Sequence, residues 1–156
     1  MKTCIIKTFG DTSHTFVENI DYTGEFLPSY KAHPMVEPFN QIMEPLHFNF
    51  IDHIACSQDL GDMKPTIEWY EKMLDFHTYV TGDEEMVLGE YSSVRSVVLI
   101  DNDKTVHLNI NETAPAKKIS QVQEFIDYYA GAGVLHMAFD TKDIVKSVRD
   151  LRSRGV

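Results

Sequence analysis

The chain has 156 residues, of which 43% are hydrophobic and 24% are charged, as is typical of a globular domain with a sizeable core. Its 24 acidic residues exceed its 14 basic residues and give a net charge of -10. This balance argues against a nucleic acid or an anionic membrane surface as partner, because both require clustered Lys and Arg. It favours a small molecule held in a pocket.

The cysteines and the hydropathy pattern indicate the compartment. Cys4 and Cys56 are the two cysteines, and neither belongs to a CxxC pair. Two thiols do not make a disulfide framework, so we expect a reducing, cytoplasmic setting. The sequence has no run of about 18 apolar residues, the length that a membrane-spanning helix needs.

The first 46 residues predict a hairpin followed by a linker. Strand-like runs at 4–6 and 15–17 flank Gly10-Asp11, a pair suited to a turn. Four prolines interrupt the next segment and break regular structure: Pro28, Pro34, Pro38 and Pro45. We therefore expect residues 23–46 to form a linker that packs along a surface through its aromatic side chains.

From residue 50 onward the pattern predicts strand, helix, strand, strand, strand. The first strand covers 50–55, and Asp62 is expected to cap a helix with Pro65 in its first turn. The other three strands are expected at 77–80, 93–100 and 106–110.

A helix, a strand and another helix are expected to complete the chain. Ser120 and Gln123 have the spacing of a capping box. A strand is expected at 134–139, and Thr141 is expected to cap the last helix. The residues expected on the buried face of that helix are Ile144, Val148 and Leu151.

An internal repeat places two histidines in equivalent positions. Residues 51–55 (IDHIA) and 134–138 (VLHMA) both have the pattern apolar, x, His, apolar, Ala, and each precedes a turn and an amphipathic helix. This indicates a duplicated βαβββ unit, the second copy ending after its helix. Because alternate side chains of a strand share a face, His53 and His136 can point into one cup.

Two histidines and one carboxylate form the facial triad of non-haem Fe(II) enzymes, which leaves positions open for substrate and O2. Taken singly, a histidine among apolar residues is more often a hydrogen-bonded core residue. The matched settings of His53 and His136 favour metal ligation instead. The remaining histidines are interpreted as surface or packing residues: His14, His33, His47, His77 and His107.

Several segments resemble the 4-hydroxyphenylpyruvate dioxygenase family, and the resemblance extends over nearly the whole chain. They are Ile51–Ile54, Glu68–Glu71, Phe76–His77, Tyr91–Ser96, Ile110–Glu112, Lys117–Phe125 and Gly131–Val134. The resemblance implies an α+β vicinal-oxygen-chelate fold, of the glyoxalase/bleomycin-resistance type, with the second βαβββ unit truncated. It also implies that 1–22 ends a first such domain, 23–46 links two domains, and 47–156 is part of a C-terminal catalytic domain.

The same resemblance implies a function in tyrosine breakdown: conversion of 4-hydroxyphenylpyruvate and O2 to homogentisate and CO2. Fe(II) would be bound by His53 and His136, and the full-length parent protein would be a homo-oligomer. Ser96, Asn111 and Gln121 match polar positions of the family's substrate pocket. Their structural interpretations are a strand hydroxyl, a strand-end turn residue and a first-turn helix residue.

The sequence departs from the family pattern in three ways. Leu135 stands where the family usually has Gln, and Asn109 stands where it usually has Pro. The family's carboxylate ligand is a Glu on a later strand, which we expect beyond Val156, so no Glu of this chain is assigned to the metal. The alternatives are a hydroxymandelate synthase-like enzyme, which uses the same substrate, or a non-catalytic module of this fold that binds a small ligand.

Overall fold

The computed structural model describes residues 1–35, 37–79, 86–88 and 93–156. The helices and strands of these residues follow in chain order: β1 (Lys2–Lys7), β2 (Ser13–Glu18), α1 (Phe39–Ile42), β3 (Ile51–Gln58), α2 (Met63–Leu74), β4 (His77–Thr78), β5 (Met86–Leu88), β6 (Ser93–Ile100), β7 (His107–Ala114), α3 (Gln121–Tyr129), β8 (Gly133–Phe139) and α4 (Ile144–Ser153). None of these helices is long and apolar enough to cross a membrane.

The chain divides into two compact units. The first comprises Met1–Ile5, Thr15–Phe50 and Asp140–Val156, and the second comprises Ile6–His14 and Ile51–Phe139. The division into 1–22, 23–46 and 47–156 stays a prediction.

The second unit is built on a mixed sheet with the strand order β4-β6-β7-β3-β8, to which β5 adds by pairing with β6. Strand β3 runs parallel to β7 and antiparallel to β8. The order β3-α2-β4-β6-β7 is the predicted βαβββ unit, and β8 with α4 repeats its strand-helix start. The fold is therefore the predicted α+β vicinal-oxygen-chelate type.

The side chains of strand β7 alternate between two faces of the sheet. We call the face with the buried side chains the core face and the opposite face the open face. Burial along β7 alternates strictly, so that every second side chain from Leu108 to Ala114 is buried. On the core face Leu108 and Ile110 pack with Cys56 of β3, Leu99 of β6 and Tyr70 of α2. Burial raises the pKa of the Cys56 thiol to about 12, so this cysteine is an uncharged core residue.

A buried carboxylate joins the sheet to the start of α2. Glu112 is 3% exposed, and its Oε2 lies 2.7 Å from the Nη2 of Arg95 on the neighbouring strand. Its Oε1 accepts hydrogen bonds from the backbone amides of Gly61 and Met63. The negative charge therefore satisfies amides at the helix N-terminus, where the helix dipole also favours an anion.

A hydrogen bond and ring contacts fix the turn of the β1–β2 hairpin to α2 within the second unit. The Nε2 of His14 lies 2.7 Å from the hydroxyl of Tyr70, and their rings meet edge to face. Burial raises the pKa of Tyr70 and lowers the pKa of His14. At neutral pH the phenol therefore keeps its proton and the imidazole is uncharged, so the hydrogen bond joins two neutral groups.

In the first unit, hydrogen bonds tie the segment before β3 to the segment after β8. The backbone amide of Asn49 donates to the carbonyl of Asp140, and the Asp140 amide donates to the carbonyl of Phe50. Arg154, just after α4, donates to the Asn40 side chain and to the Glu44 carbonyl. Arg154 thus holds the end of the predicted linker, which contains α1 as its one helix among the described residues.

The predicted strands are confirmed in place and order, although the strand expected at 77–80 covers only His77–Thr78 among the described residues and β5 was not predicted. Three details of the helices are wrong. Asp62 holds the N-cap position of α2 without a side-chain cap bond, because Glu112 supplies the acceptor. Asp143, not Thr141, caps α4 by accepting from the Lys146 amide. The Thr141 hydroxyl is used elsewhere, against the His47 carbonyl and the Ser147 hydroxyl.

The third error concerns the predicted buried face of α4. Ile144 is 69% exposed and Val148 is 40% exposed, whereas Ser147 is the buried residue of the helix. Helical periodicity identified the apolar stripe correctly but cannot tell whether another element covers it. Val80, Tyr91 and Ser92, which belonged to predicted or matched segments, lie outside the described residues.

Replacing Glu112 with Ala should lower the free energy of unfolding by about 3 kcal/mol, since the change leaves two backbone amides and a partly buried guanidinium without their acceptor. Urea unfolding followed by circular dichroism measures the change. Glu25→Ala, at an exposed carboxylate, is the control and should stay within about 0.5 kcal/mol of the parent. Equal stability of the two variants would contradict the role given to Glu112.

The burial of His14, which lowers its pKa, should make the fold less stable in acid. The folded state keeps His14 neutral below the ordinary pKa of 6.5, whereas the unfolded chain takes up the proton. The unfolded state then binds more protons, so stability falls as the pH drops below about 6.5. The free energy of unfolding measured between pH 7.5 and pH 5 should fall less steeply for His14→Gln. An unchanged pH dependence would rule this explanation out.

Candidate metal centre

The pairing of β3 with β8 brings the two repeat histidines together. Ala55 of β3 is paired with His136 of β8, and His53 is paired with Ala138. The two histidines are therefore diagonal neighbours on one face of the sheet, as the repeat predicts. Their ring centroids lie 5.6 Å apart, with the rings inclined by 69°.

Two irregularities of the strand pairing shape this part of the sheet. The register shifts between Ile51 and His53 on β3, so that Asp52 has no partner of its own. A second shift lies between Ala55 and Cys56 and passes over Leu135 on β8. Because a bulge re-aims the side chains around it, Asp52 and His53 line the same cavity although they are adjacent in sequence.

Asp52 orients the first histidine. Its Oδ2 lies 2.7 Å from the Nδ1 of His53, and the side chain of His53 is 23% exposed. A carboxylate that accepts from Nδ1 holds the ring and leaves Nε2 free for a metal, which is the usual arrangement around a histidine ligand. His136, by contrast, is exposed.

These residues fit a metal ion as two of its ligands. Imidazole nitrogens are suitable ligands for Fe(II). Two histidines on neighbouring strands can supply two of the three ligands of a facial triad. No group of three His, Cys, Asp or Glu side chains that could hold a metal occurs among the described residues. The described part of the chain thus provides two donors and a supporting carboxylate.

The predicted substrate residues Ser96 and Asn111 lie opposite each other on β6 and β7. Asn111 is also paired with Ser57 of β3, so the three polar side chains cross the sheet in one row. Asn109 lies two residues before Asn111 on β7, about 6.6 Å along the strand. Asn109 is paired with Ala55 of β3, and Ala55 is paired with His136 of β8. Ser96 and Asn111 therefore share the face of the histidine pair.

Gln121, the third predicted substrate residue, is the first residue of α3 and is exposed. The hydroxyl of the preceding residue, Ser120, lies 2.9 Å from the hydroxyl of Thr113, which shares the face of Asn111 on β7. The structure therefore brings four of the five predicted site residues together on one sheet face and joins the start of α3, where Gln121 lies, to the same face of β7. The predicted contact of Gln121 with a substrate stays a prediction.

A cavity of about 490 Å³ opens beside His53. Its walls combine charged, polar and apolar side chains from β3, β6, β7 and the loops beside them: Asp52, His53, Tyr79, Val98, Ile100, Lys104, His107 and Asn109. The volume lies within the range of about 300–1,000 Å³ usual for small-molecule sites. Lys104 supplies the cavity with a positive charge.

The loop that carries Lys104 is held by a carboxylate. The Oδ1 of Asp101 accepts from the backbone amides of Thr105 and Val106, at 2.7 and 2.9 Å. The bond from the Val106 amide is the main reason why the pKa of Asp101 lies below its usual value, and the bonds from Thr105 lower it further. The aspartate remains charged at neutral pH and keeps the loop closed.

Sequence reasoning missed several of these residues. Asp52 was recorded only as a position within the repeat, and Ser57, whose buried hydroxyl has no partner among the described residues, was not singled out. His107 was interpreted as a surface or packing residue but lines the cavity. The period of two along β7 carries the missing information, since His107, Asn109 and Asn111 alternate with buried residues.

Known proteins are similar to this chain in sequence and in fold. The model of the Glyoxalase/Bleomycin resistance protein/Dioxygenase superfamily matches residues 50–156. The chain belongs to this superfamily. Within the superfamily it falls in the 4-hydroxyphenylpyruvate dioxygenase family, as the resemblance predicted. It is 43% identical to the Tetrahymena thermophila 4-hydroxyphenylpyruvate dioxygenase over 97% of its own length, and 42% identical to the Xenopus tropicalis enzyme over its whole length.

The chain spans 37% of the Tetrahymena relative and 40% of the Xenopus relative. Among solved structures, a triple mutant of 4-hydroxymandelate synthase from Streptomyces coelicolor matches 99% of the chain, which spans 42% of it, with a TM-score of 0.75 and 25% identity. The methylmalonyl-CoA epimerase of Mycobacterium tuberculosis shares the fold over 70% of the chain, which spans 66% of it, with a TM-score of 0.52 and 22% identity.

Titration of the metal-free chain with Co(II) should broaden the imidazole NMR resonances of His53 and His136 before those of the other histidines, because these two rings lie close enough to share an ion. His53→Ala and His136→Ala should each abolish this early broadening, and Asp52→Asn should weaken binding about tenfold by releasing the His53 ring. His33→Ala, at an exposed histidine, should change nothing. Unchanged Co(II) affinity in both Ala variants would exclude the metal centre.

Proposed function

We propose that this chain supplies two of the three metal ligands of a non-haem Fe(II) dioxygenase that acts on 4-hydroxyphenylpyruvate and O2. The products would be homogentisate and CO2, in the breakdown of tyrosine. The observation that carries this proposal is the pair of histidines on β3 and β8, 5.6 Å apart, in a chain whose curated relatives include 4-hydroxyphenylpyruvate dioxygenases.

His53 and His136 would hold Fe(II) through one ring nitrogen each. Asp52 keeps the His53 ring in place through its Nδ1 bond. When bound, Fe(II) offers open coordination positions at which a 2-oxo acid and O2 can meet. The protein has to hold these ligands at fixed angles, and two adjacent strands of one sheet are a rigid support for that purpose.

The polar row on the open face suits recognition of the substrate's phenol. The side chains of Ser96 and Asn111 face each other across β6 and β7, and both can donate and accept hydrogen bonds. The Asn111 amide donates weakly to the Asn109 carbonyl at 3.3 Å, so a better acceptor can replace this bond. Gln121 would join them only if the start of α3 lies near the bound ring.

The cavity beside His53 suits the rest of an aromatic 2-oxo acid. Val98 and Ile100 provide apolar walls against which a ring can exclude water, and Lys104 attracts a carboxylate at the entrance. A volume of about 490 Å³ also leaves room for ordered water next to a molecule of this size. These residues would bind and orient the substrate, while the histidines position the metal.

A second candidate is a hydroxymandelate synthase-like activity on the same substrate. It is supported by the match to the Streptomyces coelicolor 4-hydroxymandelate synthase mutant over 99% of the chain. The two departures from the family pattern lie where they could alter the outcome. Asn109 lines the cavity, and Leu135 is the residue passed over by the register shift beside His136.

Both candidate reactions consume one O2 and release one CO2, so only the organic product distinguishes them. The protein should be expressed with all the residues that its reading frame provides, loaded with Fe(II) and supplied with 4-hydroxyphenylpyruvate. We expect homogentisate in the product chromatogram, in equal amounts with the O2 consumed. Hydroxymandelate would favour the second candidate instead.

Variants connect the activity with the histidine pair. His53→Ala and His136→Ala should each reduce kcat at least a hundredfold, whereas His33→Ala should leave it unchanged. The 156-residue chain by itself should show no turnover, because two histidines bind Fe(II) only weakly. Absence of O2 uptake by the complete protein would leave a ligand-binding module as the explanation of the site.

A further inference from the structure

The second unit contains a second cavity, with a volume of about 400 Å³. It is enclosed by the hairpin turn at Thr8–Gly10, the end of β3, the start of α2 and residues 131–132. It shares no lining residue with the cavity beside His53 among the described residues. Its volume also falls in the range of about 300–1,000 Å³ for small-molecule sites.

The wall of this cavity is closely packed at the hairpin turn. Gly10 has a φ of +53°, and a Cβ at this position would clash with the carbonyl oxygen of Ala132. Only glycine allows both the backbone conformation and the close approach. The turn is therefore pressed against residues 131–132 and closes one side of the cavity.

A buried amide nitrogen in the lining of this cavity lacks an acceptor among the described residues. Gln58 is 1% exposed, and its Oε1 accepts a hydrogen bond from the Thr66 hydroxyl at 3.2 Å. Its Nε2 is buried and has no hydrogen-bond partner among the described residues. An unsatisfied buried donor destabilises the protein, so an oxygen atom placed in the cavity to accept from it would be favoured.

The charges around the cavity select the kind of ligand. Asp59 and Asp62 contribute two carboxylates, and the described lining contains no Lys, Arg or His. Within the described residues, neither carboxylate belongs to an ion pair. An anionic ligand would be repelled, whereas an ammonium group would gain two opposite charges without displacing an existing partner.

Aromatic side chains complete the lining. Phe9, Trp69 and Tyr70 all contribute to it, with the rings of Trp69 and Tyr70 edge to face at 5.1 Å. Aromatic rings pack favourably against a further ring, and their faces also attract a cation. The cavity thus combines a hydrogen-bond donor, two negative charges and aromatic surface.

We propose that this cavity binds a small aromatic ammonium compound that carries a carbonyl oxygen. The ammonium group would lie between Asp59 and Asp62, the oxygen would accept from Gln58 Nε2, and the ring would pack against Trp69. This site is separate from the metal centre. It does not depend on the proposed dioxygenase function.

Trp69 provides a direct test, because it is the single tryptophan of the chain. Titration of the metal-free chain, in the presence of EDTA, with L-phenylalaninamide should change its fluorescence in a saturable manner. N-acetyl-L-phenylalaninamide, which keeps the ring and the oxygen but lacks the charge, should bind at least tenfold more weakly. 3-Phenylpropionate, an anion with the same ring, should not bind.

Variants locate the site. Gln58→Met keeps the side-chain volume but removes the donor, and Asp59→Asn with Asp62→Asn removes both charges; each change should weaken L-phenylalaninamide binding at least tenfold. Asp103→Asn, at an exposed position outside the cavity, should bind like the parent. Circular dichroism confirms that each variant is folded.

The comparison of the three compounds on the unaltered chain decides the proposal even if Gln58→Met does not fold. Equal binding of the charged and the acetylated amide would overturn it, and so would the absence of a saturable change or tighter binding of 3-phenylpropionate. Loss of dioxygenase activity in the complete protein would leave this result unaffected.

Discussion

The pairing of β3 with its two neighbours is the constraint on which the described sheet depends. This strand lies between β7, to which it is parallel, and β8, to which it is antiparallel. It thereby joins the complete βαβββ unit to the first strand of its repeat. A slip of one residue in the β3–β8 register would turn one histidine to the opposite face. The same pairing that completes the sheet therefore places the two histidines side by side.

The two faces of the sheet carry different tasks. The core face buries Cys56, Leu99, Leu108 and Ile110 against Tyr70, and this burial supplies the main driving force for folding. The open face carries histidine, asparagine and serine side chains, which lower the gain from burial there. Strict alternation along β7 allows both faces to be optimised independently, because neighbouring residues point in opposite directions.

Charged and polar groups determine positions of strands, helix starts and side chains that hydrophobic packing alone does not specify. Glu112 connects two strands and the start of α2 through one carboxylate, and Asp52 orients His53 beside a bulge. In both cases a carboxylate satisfies donors that would otherwise be unpaired. Gln58 is the counterpart of these cases: among the described residues its Nε2 has no acceptor, and its side chain lines a cavity.

Sequence patterns alone predict the order of the other strands and helices, but not α1 or β5, and they predict the equivalence of His53 and His136. Periodicity and the repeated pattern are local properties, and the family resemblance placed Ser96 and Asn111 on the histidine face. Only the tertiary structure decided which residues complete the site. Asp52 reaches the cavity because a bulge re-aims it, and His107 does so because β7 lies beside β3. The caps show the same limit: Asp62 was expected to cap α2, yet the acceptor is Glu112, 50 residues further along the chain. Contacts between distant segments depend on strand pairing and packing, which no local pattern specifies.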